Sequence, residues 1–413
     1  MYALEDLPVK KIPRWSKICI EVVMVVFFLH TVQVQGTEIG MWDYIQSVRE
    51  SSDFYEKEYV NPAKVKMTFP KEKKNLIYIF MESMESSYAD KEDGGTMDDN
   101  YIPNLTKLAR ENVQFTDKKD GKVGGPVCLE ATAYTAGGLV AQTSAINLKV
   151  MNSGAVSDSF LPNLTALGDI LNKQGYNQMF LCGSDGDFAG RDAYFKTHKD
   201  YQIEDYKAAI KEGDIPKDYK VYWGHEDKVL YERAKKNLKK LSKEGKPFNL
   251  TMLTVDTHFP NGYICDLCEN KYDTTYGNAV ACADRQVYDF VQWIKKQDFY
   301  EDTTIIIAGD HTSMVDTGSK FWKSLSNDYQ RTVYNAIINP QCAYKKKVTT
   351  KRKFSTMDMF PTTLAALGVE IDGNKLGLGT NLFSGEETLR EELGANYINK
   401  ELKRNDKMYN QFY

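Results

Sequence analysis

Residues 303–311 read TTIIIAGDH, an apolar run that ends abruptly in an acid and an imidazole. A continuous apolar stretch bounded by polar residues is the mark of a strand buried on both faces. The pattern recurs at NLIYIFM (75–81), followed at once by Glu82 and Ser83, and at FNLTMLTV (248–255), followed by Asp256, Thr257 and His258. NQMFLC, after Gly175, and VYNAIINP (333–340) give two further strands. Between them lie helical patterns. Pro103 opens a helix through Asn112, and Pro162 opens another through Gln174. Residues 226–244 form a charged helix, 276–297 a long one, and 357–369 one with a Gly near its end. Strands alternating with helices predict an α/β domain built on a doubly wound, mostly parallel sheet with helices on both faces.

Composition narrows the class. The chain has 413 residues, with 53 Lys and Arg against 57 Asp and Glu, a net charge of -4. The pI near 5.9 gives no electrostatic footprint for nucleic acid. Hydrophobic residues at 42% and charged residues at 27% exclude wholesale disorder. Seven Cys are too few for a disulfide-built scaffold. A mean hydropathy of -0.49 excludes a polytopic membrane protein but not a single span.

One segment fits such a span. Residues 18–34 read ICIEVVMVVFFLHTVQV, with Lys10, Lys11, Arg14 and Lys17 before them. Basic residues on that side hold it in the cytoplasm and place the rest outside. The run is short, and Glu21 and His30 interrupt it, so a signal segment or a buried soluble helix are the competing readings. The organisation expected is a cytoplasmic N-terminus (1–17), a single anchor (18–35), a juxtamembrane connector (36–70), a catalytic domain (71–390) and a C-terminal helical tail (391–413). The catalytic domain is expected to lie outside the cytoplasm, in the periplasm or at the cell surface.

In open α/β sheets, sites gather at the carboxyl ends of strands. Glu82, Asp310, His311 and His258 all fall there, although an Asp-His pair alone is also an ordinary loop cap. Together they suit one divalent cation with few nitrogen ligands. Histidine is scarce, with only five in the chain. The stretch GGPVCLEATAYTAGGLVAQTSAINL (124–148) crowds Thr and small residues at a helix start near Thr135. A hydroxyl there faces free N–H groups and the positive end of the helix dipole, which bind phosphate. A Thr hydroxyl becomes nucleophilic only when a metal or base lowers its pKa. The simpler reading of Thr135 is an N-cap.

Seven segments occur in a familiar order: NLIYIFMESMESSY, IPNLTKLARENVQFTD, the Thr-rich stretch, GSDGDFAGRDAYF, LTVDTHFPNGY, IIIAGDHTSM and MDMFPTTLAALGV. The chain resembles, over residues 70–390, the sulfatase-like branch of the alkaline phosphatase superfamily. Within it, the chain is most similar to membrane-anchored phosphoglycerol transferases, the lipoteichoic acid synthases and the transferases that decorate periplasmic glucans. The resemblance implies a Thr nucleophile and one Mn²⁺, with Zn²⁺ or Mg²⁺ the alternatives. It implies Glu82, Thr135, Asp310 and His311 around the metal, and Arg191 and His258 on the substrate. The implied partners are a phospholipid donor such as phosphatidylglycerol, a glycan or teichoic-type acceptor, and the membrane. A phosphoethanolamine transferase or a phosphodiesterase would use the same parts, and a catalytically silent surface binding protein is the alternative from another class.

Departures from the family also count. Thr132 is the alternative nucleophile in the same stretch. The family's transferases carry four or five spans, so this chain reads as a shortened member or one lacking an N-terminal part. True sulfatases need Cys or Ser in a C-x-P-x-R context, and the sequence has none. Cys265, Cys268 and Cys282 allow a disulfide, a metal site or free thiols, and Cys128 with Cys182 is a candidate second pair. The N-L-T triplets at Asn104, Asn163 and Asn249 read as caps or turns.

Overall fold

The computed structural model describes residues 13–38, 41, 49–119, 121–149, 159–199 and 201–413. Six strands form one sheet: β1 (Asn75–Met81), β2 (Asn177–Cys182), β3 (Tyr201–Glu204), β4 (Phe248–Leu253), β5 (Thr303–Gly309) and β6 (Asn335–Ile338). Their order is β3-β2-β4-β1-β5-β6, parallel throughout except for β6, which runs antiparallel to β5 at one edge. The expected α/β architecture is therefore present, with a mixed edge that the Asn-Ala-Ile-Ile run did not announce.

Apolar runs without alternation were the clue to burial on both faces, and β1 shows why. Leu76, Tyr78 and Phe80 pack into one cluster, while Ile77, Ile79 and Met81 pack into another on the opposite face. The first cluster is completed by α3 (Thr135–Ser144), α4 (Leu167–Lys173), α5 (Arg191–Thr197) and α8 (Met359–Ala366). The second is completed by α2 (Pro103–Glu111), α6 (Asp227–Leu241) and α7 (Thr275–Ile294). Each fully buried large side chain contributes ~1.5–3 kcal/mol, so the doubly covered strands anchor the domain and fix where they end.

Three expectations need correction. The helix beginning at Pro162 starts instead at Leu167, because the Asp169 carboxylate accepts the Ala166 N–H at 2.9 Å and sets the first turn there. Cys128 and Cys182 are both free: Cys182 turns its thiol toward the Ser184 carbonyl. The bridge that does form joins Cys268 to Cys282, with the Cys265 sulfur 3.6 Å from that of Cys268. Asn104 does not cap α2. Asp284 of α7 accepts N–H groups of Asn104 and Leu105 and caps it from the neighbouring helix.

Helix α1 (Arg14–Glu38) leaves its apolar side chains exposed, and Ile18–Thr37 is long and apolar enough to cross a membrane. Residues before 70 also enter the body. Ser51–Ser52 pairs in parallel with Asn405–Asp406, and Tyr55 is buried against Tyr409 and Phe412.

Candidate active site

The carboxyl ends of β1 and β5 lie side by side, and α3 begins above them. Glu82 follows β1 directly, and Asp310 and His311 follow β5. Gly138 explains the small residues after Thr135: a Cβ there would sit 2.2 Å from the Asp310 carbonyl oxygen, so only Gly lets α3 come this close. Gln142 fixes the helix further, donating to the Gly309 carbonyl at 2.9 Å while accepting from the Tyr78 hydroxyl at 3.0 Å. Thr135, the first residue of α3, is thereby set against the strand ends.

The resulting cluster is tight. Thr135 Oγ1 donates to Glu82 Oε2 at 3.2 Å and lies 3.4 Å from His311 Nε2. His311 Nε2 is 3.3 Å from Glu82 Oε1 and 3.5 Å from Asp310 Oδ2. Glu82, Asp310 and His311 are all buried. Asp310 Oδ1 accepts the N–H groups of Ser83 and His311, whereas Oδ2 has no hydrogen-bond partner among the described residues. His311 Nδ1 donates to the Thr312 carbonyl at 2.9 Å, so a proton stays on Nδ1 and Nε2 is the nitrogen that offers a lone pair once the ring is neutral.

Charge in this cluster is unbalanced. Burial pushes the Asp310 carboxyl up, and the neighbouring Glu82 carboxylate pushes it the same way. Burial disfavours the charged form of His311, but Asp310 and Glu82 outweigh it and hold the imidazole near 10. Burial also raises Glu82, and the His311 charge overrides it and pulls the carboxyl down. Two buried acids sharing one imidazole, with an orphaned oxygen between them, is a set of donors short of a cation. A buried unpaired acceptor alone costs ~1–3 kcal/mol. The donors fit a divalent ion of borderline hardness: two carboxylates, one imidazole and one hydroxyl, with three of the four able to meet at one point.

The other two expected residues lie in the adjoining cleft, about 370 Å³ in volume. Arg191 is buried at the start of α5. Its Nε donates to the Phe188 carbonyl at 3.0 Å, and its Nη2 donates to Ser184 Oγ at 3.0 Å and the Asp185 carbonyl at 2.6 Å. Among the described residues its Nη1 has no acceptor. His258 Nδ1 pairs with the Phe259 carbonyl at 2.8 Å, and the ring borders the cleft with Glu82 and Thr135. Thr132 is elsewhere: its hydroxyl donates to the Leu129 carbonyl at 2.9 Å inside the core.

Sequence reasoning gave no role to several residues of the cluster and its cleft. Ser83 touches both acids, yet only its position next to Glu82 marked it. Lys220, Tyr222 and Trp223 come from a segment outside the helices and strands, which no periodicity could flag.

A model of the sulfatase family matches residues 74–369. The chain belongs to the sulfatase family. It is 33% identical over 340 residues to phosphoglycerol transferase I of Salmonella choleraesuis (strain SC-B67), which covers 79% of this chain and 41% of that protein. A similar match, 33% over the same length and shares, is found to phosphoglycerol transferase I of Shigella flexneri. The chain thus spans about two-fifths of the length of these curated relatives. Among solved structures, the lipoteichoic acid synthase LtaP of Listeria monocytogenes superposes with a TM-score of 0.59 at 18% identity, over 78% of this chain and 79% of that one. The C-terminal periplasmic domain of EcEptC from Escherichia coli, in complex with Zn, gives 0.53 at 14% identity, over 76% and 88%. At these identities the structural likeness speaks for the fold alone.

Proposed function

We propose that this sulfatase-family protein transfers the phosphoglycerol headgroup of a membrane phospholipid, phosphatidylglycerol first, to a glycan or polymer hydroxyl. The carrying observation is Thr135 Oγ1 set between Glu82 and His311 at the N-terminus of α3, beside the orphaned Asp310 oxygen. Glu82, Thr135, Asp310 and His311 would hold one divalent cation, Mn²⁺ first and Zn²⁺ or Mg²⁺ as alternatives. Such an ion supplies Lewis acidity and lowers the pKa of the Thr135 hydroxyl.

The protein groups divide the remaining work. Thr135 Oγ1, its proton given up to solvent beforehand, attacks as the oxyanion and forms a bond to phosphorus as the bond from phosphorus to the diacylglycerol oxygen breaks; it is released as the same oxyanion in the second step. His258 gives that leaving oxygen its proton. The same imidazole then takes the proton of an acceptor hydroxyl, whose oxygen attacks the glycerophosphoryl-threonine and frees Thr135. Arg191 keeps its Nη1 donors for the phosphate oxygens, and the open N–H groups of α3 add to the same field. Water in place of the acceptor would make the reaction a hydrolysis.

The relationship to phosphoglycerol transferase I favours this headgroup over phosphoethanolamine. Helix α1 suits a protein whose donor is a lipid, anchored with its active site outside the cytoplasm. Intact mass after incubation with Mn²⁺ and either phosphatidylglycerol or phosphatidylethanolamine tests the reading. A glycerophosphoryl adduct mapped to Thr135 is the expected result. A phosphoethanolamine adduct would reassign the headgroup, and no adduct with either lipid would point to a silent binding protein. Protease added to intact cells should reach residues beyond 36, and protection of the whole region would overturn the topology.

A further inference from the structure

The mouth of the cleft is walled by rings rather than by charges alone. Phe188 is 57% exposed and Trp223 41%, and their ring centroids are 5.7 Å apart at 49°. Trp223 also sits 4.9 Å from the His258 ring. Large apolar rings left in water beside a reaction centre are costly unless something covers them.

Their placement is rigid. Val221 and Gly224 exchange backbone hydrogen bonds of 2.8 and 3.0 Å, so Tyr222 and Trp223 form the tip of a tight turn. Gly224 packs so closely on the Gly183 carbonyl that a Cβ would meet it at 2.0 Å. Tyr222 adopts a φ of 54°, strained for a bulky side chain. Its hydroxyl donates to the His258 carbonyl at 2.6 Å and holds the turn against the catalytic loop. On the other wall, the Arg191 guanidinium stands 5.4 Å from the Phe188 ring, and its Nε holds the Phe188 carbonyl.

We propose that Phe188 and Trp223 form a stacking site for a sugar ring of the acceptor, presenting one of its hydroxyls to His258. The site rests on the transfer reading above and names the part of the cleft that selects the acceptor. A pyranose has an apolar C–H face that stacks on an aromatic plane and hydroxyls that need acceptors at its edge. The same cleft supplies both, because Asp185, Asp187 and Lys220 line it with the rings. An acyl chain would ask for a continuous apolar wall, which these charges interrupt. A polyol phosphate has no ring to stack.

The test uses the full chain carrying Thr135→Ala, so that no turnover occurs, titrated calorimetrically with α- and β-linked gluco-oligosaccharides. Trp223→Ala and Phe188→Ala should each weaken binding by about ten-fold or more, and Trp223→Tyr should retain most of it. In the Thr135-containing chain, the same substitutions should slow adduct formation from phosphatidylglycerol by much less than they weaken sugar binding. Failure of every oligosaccharide to bind, unchanged affinity in Trp223→Ala, or a defect confined to adduct formation would each overturn the proposal. The last outcome would assign the rings to the lipid. Ring-dependent sugar binding without any adduct would leave this site standing while removing the transfer mechanism.

Discussion

Ser83 N–H donates to Asp310 Oδ1 at 2.8 Å, linking the carboxyl ends of the two adjacent central strands. The same residue's hydroxyl donates to Glu82 Oε1 at 2.7 Å. Ser83 sits at a φ of 51°, and this left-handed turn aims its N–H and its side chain at two different carboxylates. One residue therefore orients both acids and leaves Asp310 Oδ2 free to face a cation.

Contacts of this kind behind a ligand tune its affinity. Ser83→Ala removes the hydrogen bond to Glu82 but keeps the backbone N–H that holds Asp310. Affinity for Mn²⁺ should fall by ~10–100-fold, with little change in melting temperature. Direct titration of the metal-free protein measures it. Unaltered affinity would mean that Glu82 is held in place without Ser83.

Removing a proposed ligand should go further. Asp310→Ala eliminates the orphaned oxygen, and also the acceptor for Ser83 and His311. The variant should fold, bind Mn²⁺ poorly and lack adduct formation, even with excess metal. Full activity would reduce Asp310 to a loop cap.

Thr135 and Thr132 make opposite predictions from neighbouring positions. Thr135→Ala should abolish the covalent adduct while metal content stays near that of the parent, since Glu82, Asp310 and His311 remain. Thr132→Ala should cost only ~1 kcal/mol of stability, because its hydroxyl is bonded to the Leu129 carbonyl in the core. Thr135→Ser keeps a hydroxyl and should keep measurable adduct. An adduct lost in Thr132→Ala and retained in Thr135→Ala would reverse the assignment.

The strands that carry the site were legible because burial on both faces writes itself as an unbroken apolar run. NLIYIFM and TTIIIAG match β1 and β5 residue for residue, so Glu82, Asp310 and His311 could be placed at strand ends. The register of Thr135 was legible through the small residues after it, of which Gly138 lacks the side chain that would collide with the strand end at Asp310. The aromatic wall was not. Tyr222 and Trp223 owe their place to a strained local turn that lies outside any periodic element, and to the Tyr222 hydroxyl bonded to the His258 carbonyl, a contact distant in sequence. The reversal of β6 was equally hidden, since an edge strand reads the same in either direction. Pro162 misled for a local reason: a Pro suits a turn as well as a first helical residue, and Asp169 decides the start.

Metal uptake should depend on pH. Without a cation, His311 holds its proton up to about 10, mainly because Asp310 and Glu82 outweigh the effect of burial. Burial and Glu82 raise Asp310 in the same direction. A cation needs the His311 lone pair and the Asp310 anion, so at pH 7 binding must expel protons. Apparent affinity for Mn²⁺ should therefore rise with pH across the neutral range and fall on acidification. Calorimetry in buffers of different ionisation enthalpy should show at least one proton released per ion bound. Affinity independent of pH would mean that the ion binds without displacing these protons.

Arg191 offers the sharpest distinction between holding a loop and holding a substrate. Three of its N–H groups already bind Phe188, Ser184 and Asp185, so the residue shapes the loop that carries Phe188. Arg191→Lys keeps a positive charge near the phosphate but cannot reproduce the planar fork. Loss of one fixed donor to a phosphoryl centre costs ~10²–10³-fold in rate. Arg191→Lys should therefore slow adduct formation by about that factor, with Mn²⁺ affinity intact because no proposed ligand is touched. Arg191→Ala should be slower still, and exogenous guanidinium should restore part of the rate if the charge at the phosphate matters. A role confined to the loop predicts otherwise. Guanidinium would then restore nothing, and the defect would appear in the melting temperature and in sugar binding at Phe188 rather than in the rate of adduct formation.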